Sequence, residues 1–259
     1  MNNETLYEQT GVAMTCRSFE EYCRMFMLED ELPRHGNILD VAAGASSFTA
    51  ELCKRGYEAF ACDPLYKLTP DAMLKHGLQE LELASSKLAA KQHAFVWKDY
   101  ASLQEHDEIR HDSLQQFITH YQQEKNSDDT TSQHTYPLKK LAVSDEKNSG
   151  YFRYMAGALP KLPYADKSFE LVCCNHFLFL YQEQFDASFH LEALQEMLRV
   201  TKQGGRIVVY PLVGFRNERY PELPQLIEKL HKQHTEVNLR STPFRFLPAA
   251  DHFLEIIKR

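Results

Sequence analysis

The stretch that decides the fold class is residues 199–210, which read RVTKQGGRIVVY. A helix with apolar residues at helical spacing ends there in a basic last turn. The pair Gly204 and Gly205 predicts a reversal of the chain, because glycine adopts backbone conformations that other residues avoid. Residues 206–212 are apolar and β-branched and predict a buried strand. The order of helix, turn and strand indicates an α/β fold.

Two upstream stretches stand where such a fold requires them. Residues 38–46 read ILDVAAGAS, an apolar strand followed by a turn of small residues and the start of a helix. Residues 162–172 read LPYADKSFELV and lead into another apolar strand. A turn of small residues at the head of a helix lets a ligand approach main-chain N–H groups closely. The first of the two stretches therefore predicts a ligand site.

Together the three stretches resemble the class I S-adenosylmethionine-dependent methyltransferase family, over roughly residues 36–66 and 150–259. The resemblance implies an α/β fold with a doubly wound, mostly parallel, Rossmann-like sheet of seven strands, of which the last is antiparallel. It also implies S-adenosylmethionine as the cofactor. We expect residues 1–259 to form one methyltransferase-like domain.

Composition limits the classes of function. The chain has 259 residues, a net charge of −7 and a pI near 5.9, which argues against a general nucleic-acid binder. The six cysteines form no C-x-x-C pair, so we expect reduced thiols, a cytoplasmic location and no metal site. The first residues are polar and acidic, and no apolar run approaches the ~18 residues of a membrane span. Nothing in the pattern indicates an oligomeric state.

Hydrophobic periodicity and turn residues predict the order of the elements. Ser18 is a plausible N-cap for the first helix, and Thr69-Pro70 is a good start for a long one. The predicted helices cover residues 17–29, 46–54, 70–91, 102–124, 192–202 and 224–234. The predicted strands cover residues 38–43, 58–62, 151–156, 170–175, 206–212, 237–246 and 252–258.

The segment between the second and third strands, residues 67–149, is too long for an ordinary βα connection. Its two predicted helices make it a helical insertion. Because it leaves the sheet beside the expected cofactor site, we expect it to form a cap over the carboxyl edge of the sheet. Residues 126–135 are polar, lack apolar periodicity and predict a mobile loop.

The family motif in the first loop is Asp/Glu-x-Gly-x-Gly-x-Gly, and this chain keeps the acid and the middle glycine. Ala42 and Ser46 replace the outer glycines; both are small, but neither favours a positive φ. The resemblance implies that the loop passes under the methionine and ribose parts of S-adenosylmethionine. The expected cofactor contacts in the loop are Asp40, Ala42, Ala43, Gly44, Ala45 and Ser46.

Further cofactor contacts are expected at the ends of later strands. Asp63 follows the second strand, where a carboxylate can accept hydrogen bonds from both ribose hydroxyls; the alternative is a structural turn with Pro64. In many relatives an acid contacts the adenine at the position of Ala158. Here only backbone groups of Ala158 and Leu159 are expected to meet the adenine edge. Asn175 ends the fourth strand at the same edge of the sheet.

His176 is the candidate catalytic residue, a general base, because histidine titrates near neutrality. The alternative is a histidine that shapes the pocket or contacts the cofactor. Arg17 precedes the first strand and is expected to meet a carboxylate, either that of the cofactor or a substrate anion. The expected substrate contacts are Tyr22, Trp97, Tyr100, Arg110 and Tyr181. For the aromatic residues among them, packing in the core is the alternative.

These features predict methyl transfer to an acceptor that the sequence does not identify. The fourth strand lacks the Asn-Pro-Pro-Tyr or Asp-Pro-Pro-Tyr that amino-methylating nucleic-acid enzymes often carry, so a small molecule or a protein side chain is preferred. No residue demands a covalent intermediate or a metal. The alternative is a non-catalytic protein that binds or senses S-adenosylmethionine or a nucleotide. A dehydrogenase is disfavoured because its Gly-x-Gly-x-x-Gly fingerprint would keep one glycine in three.

Overall fold

The computed structural model describes residue 9, residues 11–128 and residues 153–259. The strands of its sheet are β1 (Asn37–Val41), β2 (Glu58–Cys62), β3 (Tyr154–Met155), β4 (Phe169–Asn175), β5 (Thr201–Tyr210), β6 (Thr235–Ser241) and β7 (His252–Lys258). Their order across the sheet is β3-β2-β1-β4-β5-β7-β6. β7 is antiparallel to both its neighbours, and the other adjacent pairs are parallel. The predicted mostly parallel sheet with an antiparallel last strand is confirmed.

Helices cover both faces of the sheet. They are α1 (Phe19–Phe26), α2 (Phe48–Lys54), α3 (Pro70–Ala90), α4 (Leu103–Asp128), α5 (Ala187–Val200) and α6 (Leu223–His231). The apolar residues of α5 and α6 share a core cluster with Val172 and Cys174 of β4. Those of α1 and α2 share another with Leu171 and Cys173 of the same strand. Successive β4 residues alternate between the two faces, so the two clusters lie on opposite sides of the sheet.

The insertion helices pack on the carboxyl side of β2 and β3 through a cluster of buried aromatic rings. The Tyr66 ring, just after β2, lies 5.9 Å from that of Phe117 in α4 and 5.3 Å from that of Tyr154 in β3. The hydroxyl of Tyr121 donates a hydrogen bond to the main-chain oxygen of Tyr66 at 2.7 Å. The insertion is therefore held to the sheet by its own apolar core.

The junction between α5 and β5 differs from the prediction. The helix ends at Val200, and strand pairing begins at Thr201, before the two glycines rather than after them. The register with β4 shifts across this stretch, so the glycines form an irregularity inside the strand. Gly204 has a φ of 77°, and a Cβ on Gly205 would lie 2.9 Å from the main-chain oxygen of Glu170. Both positions therefore require glycine.

Other boundaries differ for local reasons. α4 continues to its end at Asp128, so the predicted mobile loop is wrong for residues 126–128, and residues 129–135 lie outside the described part. α5 begins earlier than predicted, because the Asp186 carboxylate accepts a hydrogen bond from the N–H of Phe189 and caps the helix. α1 is shorter than predicted because Met27 adopts the left-handed conformation that ends a helix. β3 is shorter too, and residues 151–152 lie outside the described part.

Candidate functional site

The loop after β1 keeps a glycine-like backbone although alanine replaces its first glycine. Ala42 has a φ of 54° and Gly44 a φ of 56°, both in the left-handed region. The prediction that Ala42 avoids positive φ is therefore wrong, and the conformation costs a residue with a Cβ about 1–2 kcal/mol. The Ser46 hydroxyl, at the last glycine position, accepts a hydrogen bond from the N–H of Phe48 at 3.0 Å. Ser46 thereby helps to start α2.

Asp63 lies at the end of β2, directly beside this loop. Its Oδ2 accepts a hydrogen bond from the N–H of Gly44 at 3.0 Å, and its Oδ1 accepts one from the N–H of Leu65 at 2.9 Å. Burial raises the pKa of the carboxyl, and the two hydrogen bonds oppose that rise. Pro64 then begins a 3₁₀ turn, Pro64–Lys67. Asp63 thus caps a turn and also brings a carboxylate to Gly44.

The segment before α1, residues 13–17, lies against the same loop. The carbonyl oxygen of Thr15 accepts a hydrogen bond from the N–H of Ala45 at 2.9 Å. A Cβ on Gly44 would lie 2.9 Å from that oxygen and 3.0 Å from the Thr15 nitrogen. Gly44 therefore permits a close approach of main chain, and in this structure the chain itself makes that approach.

Asp40, the acid of the motif, is buried and faces Tyr22 of α1. The Tyr22 hydroxyl lies 3.1 Å from Oδ1 and 3.0 Å from Oδ2 of Asp40 and donates to this carboxyl. Burial raises the pKa of Asp40 well above its usual range, although the hydrogen bond from Tyr22 lowers it. The Tyr22 ring stacks on that of Phe48 with centroids 4.2 Å apart. Tyr22 therefore packs between α1 and α2, away from the cavity described below.

The main chain after β3 also reaches the end of β2. The N–H of Gly157 donates to the carbonyl oxygen of Asp63 at 3.4 Å, which brings Ala158 close to this acid. Ala158 is exposed, whereas Leu159 is buried. At the end of β4, the buried Nδ2 of Asn175 has no hydrogen-bond partner among the described residues. An unpaired buried donor of this kind is a candidate ligand contact.

A mainly apolar cavity of about 130 Å³ lies between segment 13–17, the insertion and the end of β4. It brings together four of the residues predicted for the site, in three separate parts of the chain: Arg17, Arg110, His176 and Tyr181. Apolar side chains form most of the remaining wall, among them Leu81, Leu88, Phe95, Leu180, Phe215 and Phe246. An apolar engineered cavity of about 150 Å³ admits benzene, so this one matches a single aromatic ring in size.

His176 occupies a strained position at the wall of this cavity. Its φ is 51°, and its N–H donates to the carbonyl oxygen of Tyr210 at 2.6 Å. Its Nδ1 lies within hydrogen-bond distance of the Asn175 Oδ1, an acceptor, so Nδ1 carries the proton and Nε2 the lone pair. Burial holds the pKa of His176 well below its usual range, and the charge of Arg17 lowers it further. The imidazole is neutral at neutral pH.

A buried ion network links α1 to the insertion beside the cavity. Arg110 of α4 forms a bidentate pair with Glu21 of α1, with Nη2 2.6 Å from Oε1. Arg17 Nη1 lies 3.0 Å from the same Oε1, and the Tyr100 hydroxyl donates to it. Burial alone would raise the pKa of Glu21, but the two arginines hold it well below its usual range. The network therefore contains two positive charges and one negative charge.

Glu21 was absent from the candidate residues, although the sequence carries a signal for it. Ser18-x-x-Glu21 is a capping box: the Glu21 N–H donates to the Ser18 hydroxyl, and the Ser18 N–H donates to Oε2 of Glu21. That pattern fixes Glu21 at the start of α1 next to Arg17. It gives no indication that Arg110, 89 positions later, pairs with the same carboxylate.

Trp97 does not line the cavity. Its Nε1 donates a hydrogen bond to the carbonyl oxygen of Gln92 at 2.8 Å, and its ring packs edge-on against Phe246 with centroids 5.3 Å apart. Tyr100 likewise packs against Phe246, at 5.5 Å, and reaches the cavity only through the network around Glu21. The two rings anchor the insertion to the segment before β7.

Residues 130–209 match a family model described as a methyltransferase domain. The match includes β4, α5 and most of β5. These strands belong to the seven-stranded sheet in which β7 is antiparallel to its neighbours. The chain is therefore similar to a methyltransferase domain over these residues. The whole chain is 27% identical to an uncharacterized protein of Methanocaldococcus jannaschii over 244 residues, 94% of each chain.

Solved structures similar to this chain include two that are distant in sequence. A TehB-like SAM-dependent methyltransferase from Corynebacterium glutamicum is 12% identical, with 91% of this chain and 86% of that chain covered and a TM-score of 0.44. A Burkholderia thailandensis 1,6-didemethyltoxoflavin-N1-methyltransferase with S-adenosylhomocysteine bound is 14% identical, with 92% and 77% covered and a TM-score of 0.45. At these values neither structure identifies the acceptor of this chain.

The described part of the chain lacks two further features. None of its helices has the length and apolar character needed to cross a membrane. Its described residues also hold no group of three or more His, Cys, Asp and Glu side chains arranged for a metal ion.

The donor groups around the loop fit S-adenosylmethionine, the cofactor that the sequence resemblance implies. A carboxylate, Asp63, stands beside a main chain that Gly44 leaves open to close approach, and Asn175 offers an unpaired amide donor. The space at Gly44 is taken by Thr15 in this structure. The chemistry of the site therefore suits the cofactor, and contact with Gly44 requires segment 13–17 to move.

Proposed function

We propose that this methyltransferase transfers a methyl group from S-adenosylmethionine to a small molecule bound in the cavity beside His176. The observation that carries the proposal is the position of His176, which follows β4 at the carboxyl edge of the sheet and lines the cavity. Segment 13–17 lines the cavity and also lies against Gly44. The proposed acceptor and cofactor sites therefore share one wall.

In this proposal the cofactor is held by Asp63, the main chain around Gly44 and the amide of Asn175. A carboxylate accepts hydrogen bonds from two hydroxyls, and an amide nitrogen donates two. Bound there, S-adenosylmethionine supplies a methyl group already activated on a sulfonium. Segment 13–17 moves off Gly44 when the cofactor binds, because Thr15 takes that space in this structure.

His176 acts as the general base in this proposal. Asn175 fixes the proton on Nδ1, so Nε2 is free to take the proton that the acceptor's O–H or N–H loses as its oxygen or nitrogen bonds to the methyl group. The low pKa of His176 keeps this nitrogen unprotonated at neutral pH. The apolar wall excludes water and orients the acceptor, and methyl transfer rests mainly on such positioning.

A second candidate function is binding of S-adenosylmethionine or a nucleotide without catalysis. The observation that favours it is the contact of Thr15 with Gly44, which fills the expected cofactor side of the loop. The strained Ala42 is in keeping with it, because the loop has lost a glycine that the family uses. In this alternative segment 13–17 moves on ligand binding and signals occupancy.

The two functions are separated by one experiment. The full chain is incubated with methyl-labelled S-adenosylmethionine and single-ring acceptors bearing hydroxyl, amine or carboxylate groups, and S-adenosylhomocysteine is measured. The proposal expects acceptor-dependent product and a loss of about 10²–10⁴-fold in His176→Asn. The control His93→Asn, at an exposed position outside the cavity, keeps the wild-type rate. Cofactor binding without product from any acceptor favours the second candidate.

A further inference from the structure

We infer that the acceptor is a small carboxylate with a single ring, and that Arg17 binds its anion. This inference rests on the proposed function, because it names the chemistry of the molecule in the same cavity. Three observations carry it: an excess of buried positive charge, an unpaired donor on Arg17, and an apolar cavity the size of one ring.

The buried charges beside the cavity do not balance. Arg17 and Arg110 are 8% and 5% exposed, and both face the single carboxylate of Glu21. Their neighbours add no compensating charge: burial raises the pKa of Tyr100 to about 12 and lowers that of His106 to about 4. One positive charge is left over in a place where unpaired charge is costly. A bound anion would compensate it.

Arg17 has an edge that the network does not use. Its Nη1 contacts Glu21 at 3.0 Å and the Tyr100 hydroxyl at 3.4 Å. Its Nε is buried and has no hydrogen-bond partner among the described residues. Glu21 offers it no further acceptor, because the two oxygens of Glu21 already accept five hydrogen bonds: two from Arg110 and one each from Arg17, Tyr100 and the Ser18 N–H. Guanidinium groups bind carboxylates through two parallel N–H donors, and Arg17 keeps such an edge.

Two acidic residues also line the cavity, and neither lies among the buried arginines. Glu80 and Asp107 are partly exposed. Asp107 is engaged locally, since its Oδ2 accepts a hydrogen bond from the Ser85 hydroxyl at 2.5 Å and its Oδ1 lies 2.9 Å from His106 Nδ1. Because water and salt screen partly exposed charges, these carboxylates weaken the attraction of an anion less than their number suggests.

The apolar wall of the cavity favours an apolar ring in the ligand. Apart from the groups above, its wall is mainly aliphatic and aromatic, with Leu88, Phe95 and Leu180 among the buried members. A volume of about 130 Å³ matches a single ring in size. The ring carries the reacting group towards His176 while its anion stays with Arg17.

Benzoate and its neutral isostere benzamide test the inference. Each is titrated calorimetrically into the wild-type full chain, Arg17→Gln and the control Arg219→Gln, an exposed arginine paired with Asp251. The inference expects benzoate to bind wild type at least about 10-fold more tightly than benzamide, and to lose about 10-fold or more in Arg17→Gln only. Equal binding of the two probes, or unchanged benzoate binding in Arg17→Gln, would overturn it.

A second titration identifies whether Arg17 binds the carboxylate of the acceptor or that of the cofactor. S-adenosylhomocysteine is titrated in the presence and absence of saturating benzoate. The inference expects both to bind together, with S-adenosylhomocysteine unaffected by Arg17→Gln. Competition between them, with weaker S-adenosylhomocysteine binding in the variant, assigns Arg17 to the cofactor and overturns the inference.

The variants also keep the inference separate from the proposed function. If S-adenosylhomocysteine does not bind at all, the proposed function fails, while the comparison of benzoate with benzamide still decides the charge preference of the cavity. Should Arg17→Gln not fold, Arg17→Lys replaces it. Lysine keeps the charge and loses the planar fork, so benzoate binding weakens while a preference over benzamide remains. Unchanged benzoate affinity in Arg17→Lys, or loss of the preference over benzamide, would overturn the inference.

Discussion

Thr15 lies directly on Gly44: its carbonyl oxygen would stand 2.9 Å from a Cβ at that position and accepts a hydrogen bond from the N–H of Ala45. The contact joins the segment before α1 to the loop after β1. It also means that the ligand side of this loop is closed by main chain in this structure.

Gly44→Ala should destabilise the protein more than Gly56→Ala. Both glycines have positive φ, 56° and 84°, so alanine is strained at each. Only Gly44 has main chain in the way, whereas a Cβ at Gly56 has no other atom within 4 Å. Urea unfolding measures the two costs. Equal losses would show that Thr15 gives way without cost and is not fixed on the loop.

Ala42→Gly should stabilise the protein by up to about 1 kcal/mol. The left-handed backbone of Ala42 disfavours a Cβ, and glycine adopts it without strain. Part of the gain is offset by the greater freedom of glycine in the unfolded chain. Ala193→Gly, in the middle of α5, serves as the opposite control and costs about 1 kcal/mol or more. Thermal unfolding measures the stability of both variants. If Ala42→Gly lost as much stability as Ala193→Gly, the backbone of Ala42 would not be strained.

Glu21→Gln should cost about 3–5 kcal/mol of unfolding free energy. The change removes the negative charge between Arg17 and Arg110 and leaves both guanidinium groups buried without compensation. Glu228→Gln, at an exposed pair with Lys232, is the control and leaves stability nearly unchanged. A cost for Glu21→Gln as small as that of the control would mean that the network is hydrated.

The cost of Glu21→Gln should depend on pH. The folded pKa of Glu21 is depressed, with its ordinary value near 4.5, so its contribution is fully present above pH 4.5. As the pH falls below that value the unfolded chain takes up a proton that the folded chain does not, and the contribution shrinks. Unfolding curves between pH 7 and pH 3 should therefore converge for wild type and variant. Parallel curves would contradict a depressed pKa.

The pH profile of methyl transfer should show no loss from histidine protonation between pH 8 and pH 6.5. Burial and the charge of Arg17 hold the pKa of His176 well below its ordinary value of 6.5, so the base remains neutral across this range. Steady-state kcat/KM values for wild type provide the measurement. A kcat/KM that has fallen to about half of its plateau value at pH 6.5 would show an unperturbed histidine as the base.

Local signals in the sequence predicted much of the fold. Thr69-Pro70 marks the start of α3, and the apolar run that ends before Asp63 marks β2, because caps and period-two strands are set by neighbouring residues. The site was predicted only in part. The cavity joins Arg17, Arg110 and His176, which lie in three distant segments, and each was recognised by its chemistry rather than by its contacts.

Long-range pairing accounts for what was missed. Tyr22 reads as a pocket residue, but its hydroxyl finds the buried carboxyl of Asp40 instead. Trp97 was also predicted as a substrate contact, but its ring packs against Phe246. No local sequence pattern predicts which buried polar groups form hydrogen bonds with each other, because that depends on how the helices and strands pack. The positive φ of Ala42 was missed for the same reason: tertiary packing overrides the residue's own preference.

Calorimetric titration with S-adenosylhomocysteine tests whether Asp63 and the loop at Gly44 bind the proposed cofactor. The account predicts binding to wild type, with a dissociation constant raised about 5–150-fold in Asp63→Asn, since a hydrogen-bonded carboxylate is worth about 1–3 kcal/mol. The control is Asp166→Asn, which leaves binding unchanged. Asp166 is exposed and precedes β4, so it lies at the opposite edge of the sheet from the proposed cofactor site. No binding to wild type at millimolar ligand, or equal affinity in Asp63→Asn, would contradict the account.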